Sequence, residues 1–130
     1  MNELDRPYWE GAARNKLLVQ FCPSCDVWQW GPEWLCHTCH SYDLDWREVE
    51  PRGRIYSWER AWHPVHPALV EAVPYVVVLV ELPHAGNIRM VGNLLGEPEE
   101  DVVIGAEVEA VFEHHSDHDP PYSLVHWSYI

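Results

Sequence analysis

The sequence predicts a mainly β protein: a short helix at the start, a small ribbon held by cysteines, then a five-stranded barrel. Three observations predict it. Four cysteines stand as CPSC and CHTC (Cys22, Cys25, Cys36 and Cys39), with ten residues between the pairs. Beyond Pro51, strand-length apolar segments alternate with Gly, Pro and Asn turn signals. Helical periodicity is confined to the first residues.

Residues 5–16 read as the helix, with Asp5 as N-cap, Pro7 in the first turn, and Tyr8, Trp9, Ala12 and Ala13 on one face. Gly11 weakens that helix. Leu17 to Phe21 read as a strand entering the first cysteine pair, Gly31-Pro32 as a turn, and Leu44 to Trp46 as the return strand.

A CxxC turn brings both sulfurs to one side of a tight loop. Two such turns on facing hairpins present four thiolates tetrahedrally, the arrangement of a closed structural Zn²⁺ site. Iron suits the same four-sulfur cage. Paired disulfides suit a secreted chain, and MNELDRPYWEG has neither the basic nor the apolar region of an export signal, so the cytoplasm is the expected location. A thioredoxin-type dithiol uses one CxxC, not two. Cys36 to His40 match CxxCH, a haem-attachment pattern, but that leaves CPSC unexplained. His37 and His40 are bystanders while four cysteines are available. A ribbon this small buries little core, so metal–sulfur bonds are expected to hold it.

Pro51-Arg52-Gly53 marks a boundary, giving a predicted division into helix (1–16), ribbon (17–50) and barrel (51–130). Arg54 to Trp62 alternates, with Ile55 opposite Tyr56, Trp58 and Arg60. Tyr75 to Leu82 is nearly all apolar and reads as a strand buried on both sides. A Gly86-Asn87 turn leads into Ile88 to Leu95, where Gly92 suggests a bulge or sharp bend. Ala106 to Glu113 and Tyr122 to Ile130 complete five strands. A closed barrel of the OB type fits this count, and a five-stranded sandwich fits the pattern nearly as well.

Composition narrows function. Hydrophobic residues are 47% of 130, which suits a packed domain and not a disordered one. The longest apolar run, Val76 to Val80, is far too short to span a bilayer. Eight Lys and Arg face 21 Asp and Glu, a net charge of -13. Affinity for nucleic acid comes largely from neutralising phosphates, so this balance opposes it.

The order YWEG, LLVQFCPSC, CHTC, GRIYSW, PYVVVLVEL, IGAEVEAVF resembles the DUF35 family across nearly the whole chain. That resemblance implies a rubredoxin-like zinc ribbon followed by an OB-fold, with Cys22, Cys25, Cys36 and Cys39 as ligands of Zn²⁺. It implies a non-catalytic accessory subunit of a thiolase-fold enzyme, a thiolase or acyl-CoA aldolase. Such a subunit lines an acyl-CoA channel in a heterotetramer, in lipid metabolism that includes steroid side-chain degradation. Two segments depart from the family pattern: the ending YSLVHWSYI and the stretch EHHSDHD. Both bear on which partner or substrate fits. The alternative function is an OB and zinc-ribbon protein binding single-stranded nucleic acid; an electron carrier with iron in the ribbon is the third class.

Further candidates follow from chemistry. Trp28, Trp30 and Trp34 lie in a ribbon with little interior, so they either cover its junction with the barrel or, at least two of them, anchor a partner. Trp62 joins them as a candidate contact. Arg52, Arg54 and Arg60 share strand parity and line one face of an unbroken strand, where they suit the phosphates of CoA or form a solvated edge. His63 and His66 lie in the stiff loop AWHPVHPAL and are either acyl-CoA or partner contacts that assist acid-base chemistry at a shared site, or exposed polar groups. His114, His115, Asp117, His118 and Asp119 are of metal-ligating type, but loop composition accounts for them better than a second metal.

Overall fold

The computed structural model describes residues 3–130; the first two positions of the expected 1–16 segment lie outside the described residues. Helix α1 runs Arg6–Ala13, with Pro7 in its first turn. The amides of Tyr8 and Trp9 donate to the Asp5 carbonyl at 3.1 and 3.4 Å. It stops short of the expected Lys16 because Asn15 turns left-handed (φ 61°) and the Lys16 amide returns to the Gly11 carbonyl at 2.8 Å. Gly11 and Ala12 are buried and Tyr8 packs against the core, while Ala13 is exposed. A Cβ on Gly11 would stand 2.9 Å from Leu18 Cγ, so the glycine that weakens the helix is what lets it lie on the next strand.

Strands β1 (Leu17–Cys22), β2 (Val27–Gln29) and β3 (Asp45–Val49) form an antiparallel sheet with β1 central. Its pairings include Phe21 with Trp28 and Leu17 with Val49. Two residues later the barrel begins: β4 (Arg52–Ala61), β5 (Tyr75–Leu82), β6 (Ile88–Leu94), β7 (Glu107–His115) and β8 (Tyr122–Tyr129). The order is β4-β5-β6-β8-β7, closed by β4 against β7, with β6 and β8 parallel at Leu94 and Trp127 and every other pair antiparallel. Closure rules out the sandwich and gives the five-stranded OB arrangement.

The core runs from the ribbon into the barrel, through Leu17, Val19, Val49, Ile55, Val78, Val80, Leu82, Met90, Val108 and Trp127. In β5, Val76, Val78 and Val80 are buried, but Val77 and Leu79 are only partly covered. The strand is therefore not buried on both sides; a barrel wall has one interior face. Gly86 (φ 66°) and Asn87 (φ 59°) make the expected turn, two left-handed residues in succession.

Two strand features differ from expectation. The register of β4 against β5 slips between Ile55 and Ser57, an irregularity the unbroken alternation of RIYSWERAW conceals. By contrast, β6 pairs through Gly92 without a shift, so there is no bulge there. A Cβ on Gly92 would lie 2.7 Å from Trp127 Cδ1; glycine is needed because the indole crosses the strand at that point.

Near the slip, Glu81 is buried and accepts from Arg54 Nε and Nη2 (3.0 and 2.6 Å) and from Arg89 Nε (3.2 Å). The Arg54 bonds are the main cause that holds its carboxyl below the usual range. Arg89 also lies over the Tyr56 ring at 3.7 Å.

Candidate metal centre and docking surface

Cys22 closes β1, and the turn to β2, with Asp26 left-handed (φ 56°), returns Cys25 to it. The second pair sits on a matching turn: the Cys36 amide donates to the Ser41 carbonyl (2.8 Å) and the His40 amide to the Cys36 carbonyl (2.9 Å). All four cysteines are free thiols, and their sulfurs lie within 4.8 Å of one another. Cys22 to Cys39 is 3.6 Å and Cys25 to Cys36 is 3.7 Å. A tetrahedral ion with bonds of about 2.3 Å sets its sulfurs roughly 3.8 Å apart, so the cage fits one metal ion. Cys36 and Cys39 belong to the same cage as Cys22 and Cys25, which leaves no separate haem-attachment pair.

The charges call for a cation. The backbone N–H groups of Cys39 and Thr38 lower the Cys36 thiol to about 6. Burial and the sulfurs of Cys39, Cys22 and Cys36 push the Cys25 thiol up to about 12. Four thiolates share so small a space only when an ion neutralises them. Bound there, the ion has four sulfur ligands and no open position, so it stiffens the ribbon and offers nothing to a substrate.

Sequence reasoning missed the support beneath the cage, Gln20 and Gln29, both buried. Gln20 Nε2 donates to the Glu33 carbonyl (3.0 Å) and its Oε1 accepts the Glu33 amide (3.1 Å). Gln29 Nε2 donates to Gln20 Oε1 and to the Leu35 carbonyl, both at 3.3 Å, and its Oε1 accepts the His37 amide at 2.9 Å. The pair pins the loop that delivers Cys36. The available signal was Gln20 itself, a polar residue between Val19 and Phe21 in a buried strand, where it must find partners. His37 turns its Nδ1 to Gln29 Oε1, so it is engaged outside the cage.

The ribbon tryptophans separate. Trp28 packs edge-on against Phe21 (4.8 Å), and its Cδ1 would lie 3.1 Å from a Cβ on Gly86 of the barrel. Trp30 packs on Tyr8 of α1 at 5.0 Å. Both lie against the core, so the junction takes two of the three, and only Trp34 is largely exposed, at 62%. In the barrel, Trp58 and Trp62 flank Arg60 at 5.0 and 5.9 Å, and both rings are exposed.

The three arginines are not brought to one face, because the β4 slip breaks their parity. Arg52 pairs with Glu50 and Glu107, Arg54 with Glu81. Arg60 donates to the carbonyls of Pro98 (2.8 Å) and Glu100 (2.6 Å), tying down the loop before β7. Carboxylates also pair with Arg6, Lys16, Arg47 and Arg89, so the basic residues are largely matched within the chain. That leaves little for a polyanion. His66 Nδ1 accepts the Ala68 amide (3.1 Å), capping a single turn at Pro67–Leu69, and His63 is exposed nearby. Val65 and Val70 stand out from the same loop. No helix among the described residues is long and apolar enough to cross a membrane.

Residues 9–45 match the ChsH2 rubredoxin-like zinc ribbon domain, and residues 46–113 the ChsH2 C-terminal OB-fold domain. The chain is 38% identical over 105 residues to a probable enoyl-CoA hydratase alpha subunit of Thermomonospora curvata, covering 80% of this chain and 32% of that protein. It thus spans about a third of that relative's length. It is 26% identical over 97 residues to a DUF35 domain-containing scaffold protein of Methanocaldococcus jannaschii, covering 74% of this chain and 67% of the other. Among solved structures it resembles the Ltp2-ChsH2(DUF35) aldolase, with a TM-score of 0.83 and 32% identity over 99% of this chain and 96% of that one. The cysteine cage, the closed barrel and these matches together place the chain in the DUF35 family.

Proposed function

We propose that this chain is a non-catalytic subunit that docks on a thiolase-fold enzyme and completes its acyl-CoA channel. The observation that carries the reading is the likeness, over 99% of the chain, to a chain of the Ltp2-ChsH2(DUF35) aldolase. The names of the other two relatives, a hydratase subunit and a scaffold protein, agree with a partner role beside acyl-CoA chemistry. The sulfur-saturated cage fits it too, since the ion is structural and bond-breaking falls to another polypeptide. In this reading the cage holds Zn²⁺, and the assembly is a heterotetramer acting on bulky acyl groups such as steroid side chains.

The docking surface in this proposal centres on Trp62 and Trp58 around Arg60, with Trp34 as a second contact on the ribbon. Large, rigid, exposed aromatics beside an arginine are the residue types that dominate binding energy at interfaces. Co-expression with a thiolase-fold acyl-CoA enzyme is expected to yield a stable complex. The Trp58→Ala/Trp62→Ala double variant is expected to weaken that complex by about 2–4 kcal/mol, roughly 30- to 1,000-fold in Kd. Trp62 is 54% exposed and Trp58 37%, so urea unfolding of the isolated variant is measured alongside, to separate a lost contact from a lost fold. Equal affinity of variant and parent would remove this surface from the interface.

A further inference from the structure

We propose that the loop between β7 and β8 holds a second metal site, built from His115, Asp117 and His118 and suited to Zn²⁺ or another borderline divalent ion. Loop composition alone makes these residues look like solvated polar groups; the fold assembles them. One ligand atom from each lies within 4.8 Å of the other two. His118 Nδ1 and Asp117 Oδ1 are 3.1 Å apart. Two donors bound at about 2.0–2.2 Å to one ion stand roughly 3 Å from each other, so this pair already has ligand spacing.

The rings are held in place. His115 is the last residue of β7 and pairs across the hairpin with Tyr122, the first of β8. Its imidazole stacks on the Tyr122 ring at 4.5 Å and 14°, and His118 meets both rings edge-on, at 5.4 and 5.1 Å. Glu113 Oε2 contacts His115 Nε2 at 2.7 Å, so a carboxylate fixes one ring nitrogen and leaves the other for an ion. Imidazoles that bind metals commonly have such a carboxylate behind them. With Glu113, Asp117 and Asp119 close by on a chain of net charge -13, the loop attracts a divalent cation before any bond forms.

Two imidazoles and one carboxylate favour zinc-like ions over Mg²⁺ or Ca²⁺, which take oxygen ligands. This set differs from the thiolate cage in having positions left open to water. Of the three, His118 also lines an apolar groove of about 710 Å³ between α1 and the hairpin, with Trp9, Ala13, Pro120, Tyr122 and Leu124. His114 joins the two sides by bonding Ser123 Oγ and Asn15 Oδ1, each at 2.7 Å. An ion on the neighbouring residues would hold that wall in shape.

The test is metal stoichiometry on the untagged full chain. Cobalt is added to metal-free protein, with binding followed by calorimetry and by the sulfur-to-cobalt absorption that only the thiolate cage gives. Two ions per chain are expected, the second adding no sulfur band and unaffected by excess Mg²⁺. The His115→Gln/His118→Gln variant is expected to bind one ion and keep the full sulfur band, which shows that its ribbon is folded. One ion per chain in the parent would overturn the proposal, and so would a second ion retained by the double variant.

Discussion

Replacing Cys36 with serine is expected to strip the ribbon of its metal and unfold it. Three short strands joined by loops bury too little apolar surface to stand alone. Structural zinc in such modules supplies about 10–16 kcal/mol of apparent binding energy, and that energy is folding energy. Cys36 is fully buried and its sulfur accepts the Thr38 amide at 3.4 Å, so loss of this ligand opens the cage from the inside. The sulfur-to-cobalt band should vanish, and Trp28 and Trp30, which lie where the ribbon meets the barrel and helix, should change their fluorescence. His40→Ala should leave both signals unchanged, because His40 is outside the cage. A Cys36→Ser protein with full metal content and parental stability would contradict this account of the ribbon.

Trp127→Ala should be the most damaging barrel substitution, at about 3–5 kcal/mol. The indole is fully buried, and its residue makes the parallel pairing of β6 with β8 that helps close the barrel. Its partner is a missing side chain: Gly92, where a Cβ would sit 2.7 Å from Cδ1 and 2.8 Å from Nε1 of the ring. Gly92→Ala should therefore destabilise by about 1–3 kcal/mol through overpacking. In the Trp127→Ala background the same change should cost much less, since the two contacts under 3.0 Å are gone and only the Val125 carbonyl, at 3.3 Å, still crowds the Cβ. Urea unfolding of the four proteins reads this coupling. Additive effects would mean that the ring and the glycine do not compete for one space.

The sequence carried the cysteine cage openly because its geometry is local: each CxxC is one turn, and the spacing shows that two turns can meet. The Gly86-Asn87 turn was legible for the same reason. Strand identities survived because alternation and β-branched runs are local as well. What failed was information held between distant segments. The slip at Tyr56 leaves no mark in RIYSWERAW, and it disperses arginines that simple parity puts together. Gly92 looks like a bulge until Trp127, far along the chain, is seen to cross it. Trp28 and Trp30 look surplus until the barrel and α1 arrive to cover them. The Glu81 carboxylate gains its meaning from Arg54 and Arg89 on the strands either side.

The central claim is that this chain assists acyl-CoA chemistry without performing it. Its most direct test is an acyl-CoA cleavage assay on three samples: the chain alone, a thiolase-fold partner alone, and the two reconstituted. Turnover by the complex, with none from this chain by itself, is the predicted result. Cleavage of a CoA thioester by the purified chain unaided would contradict it.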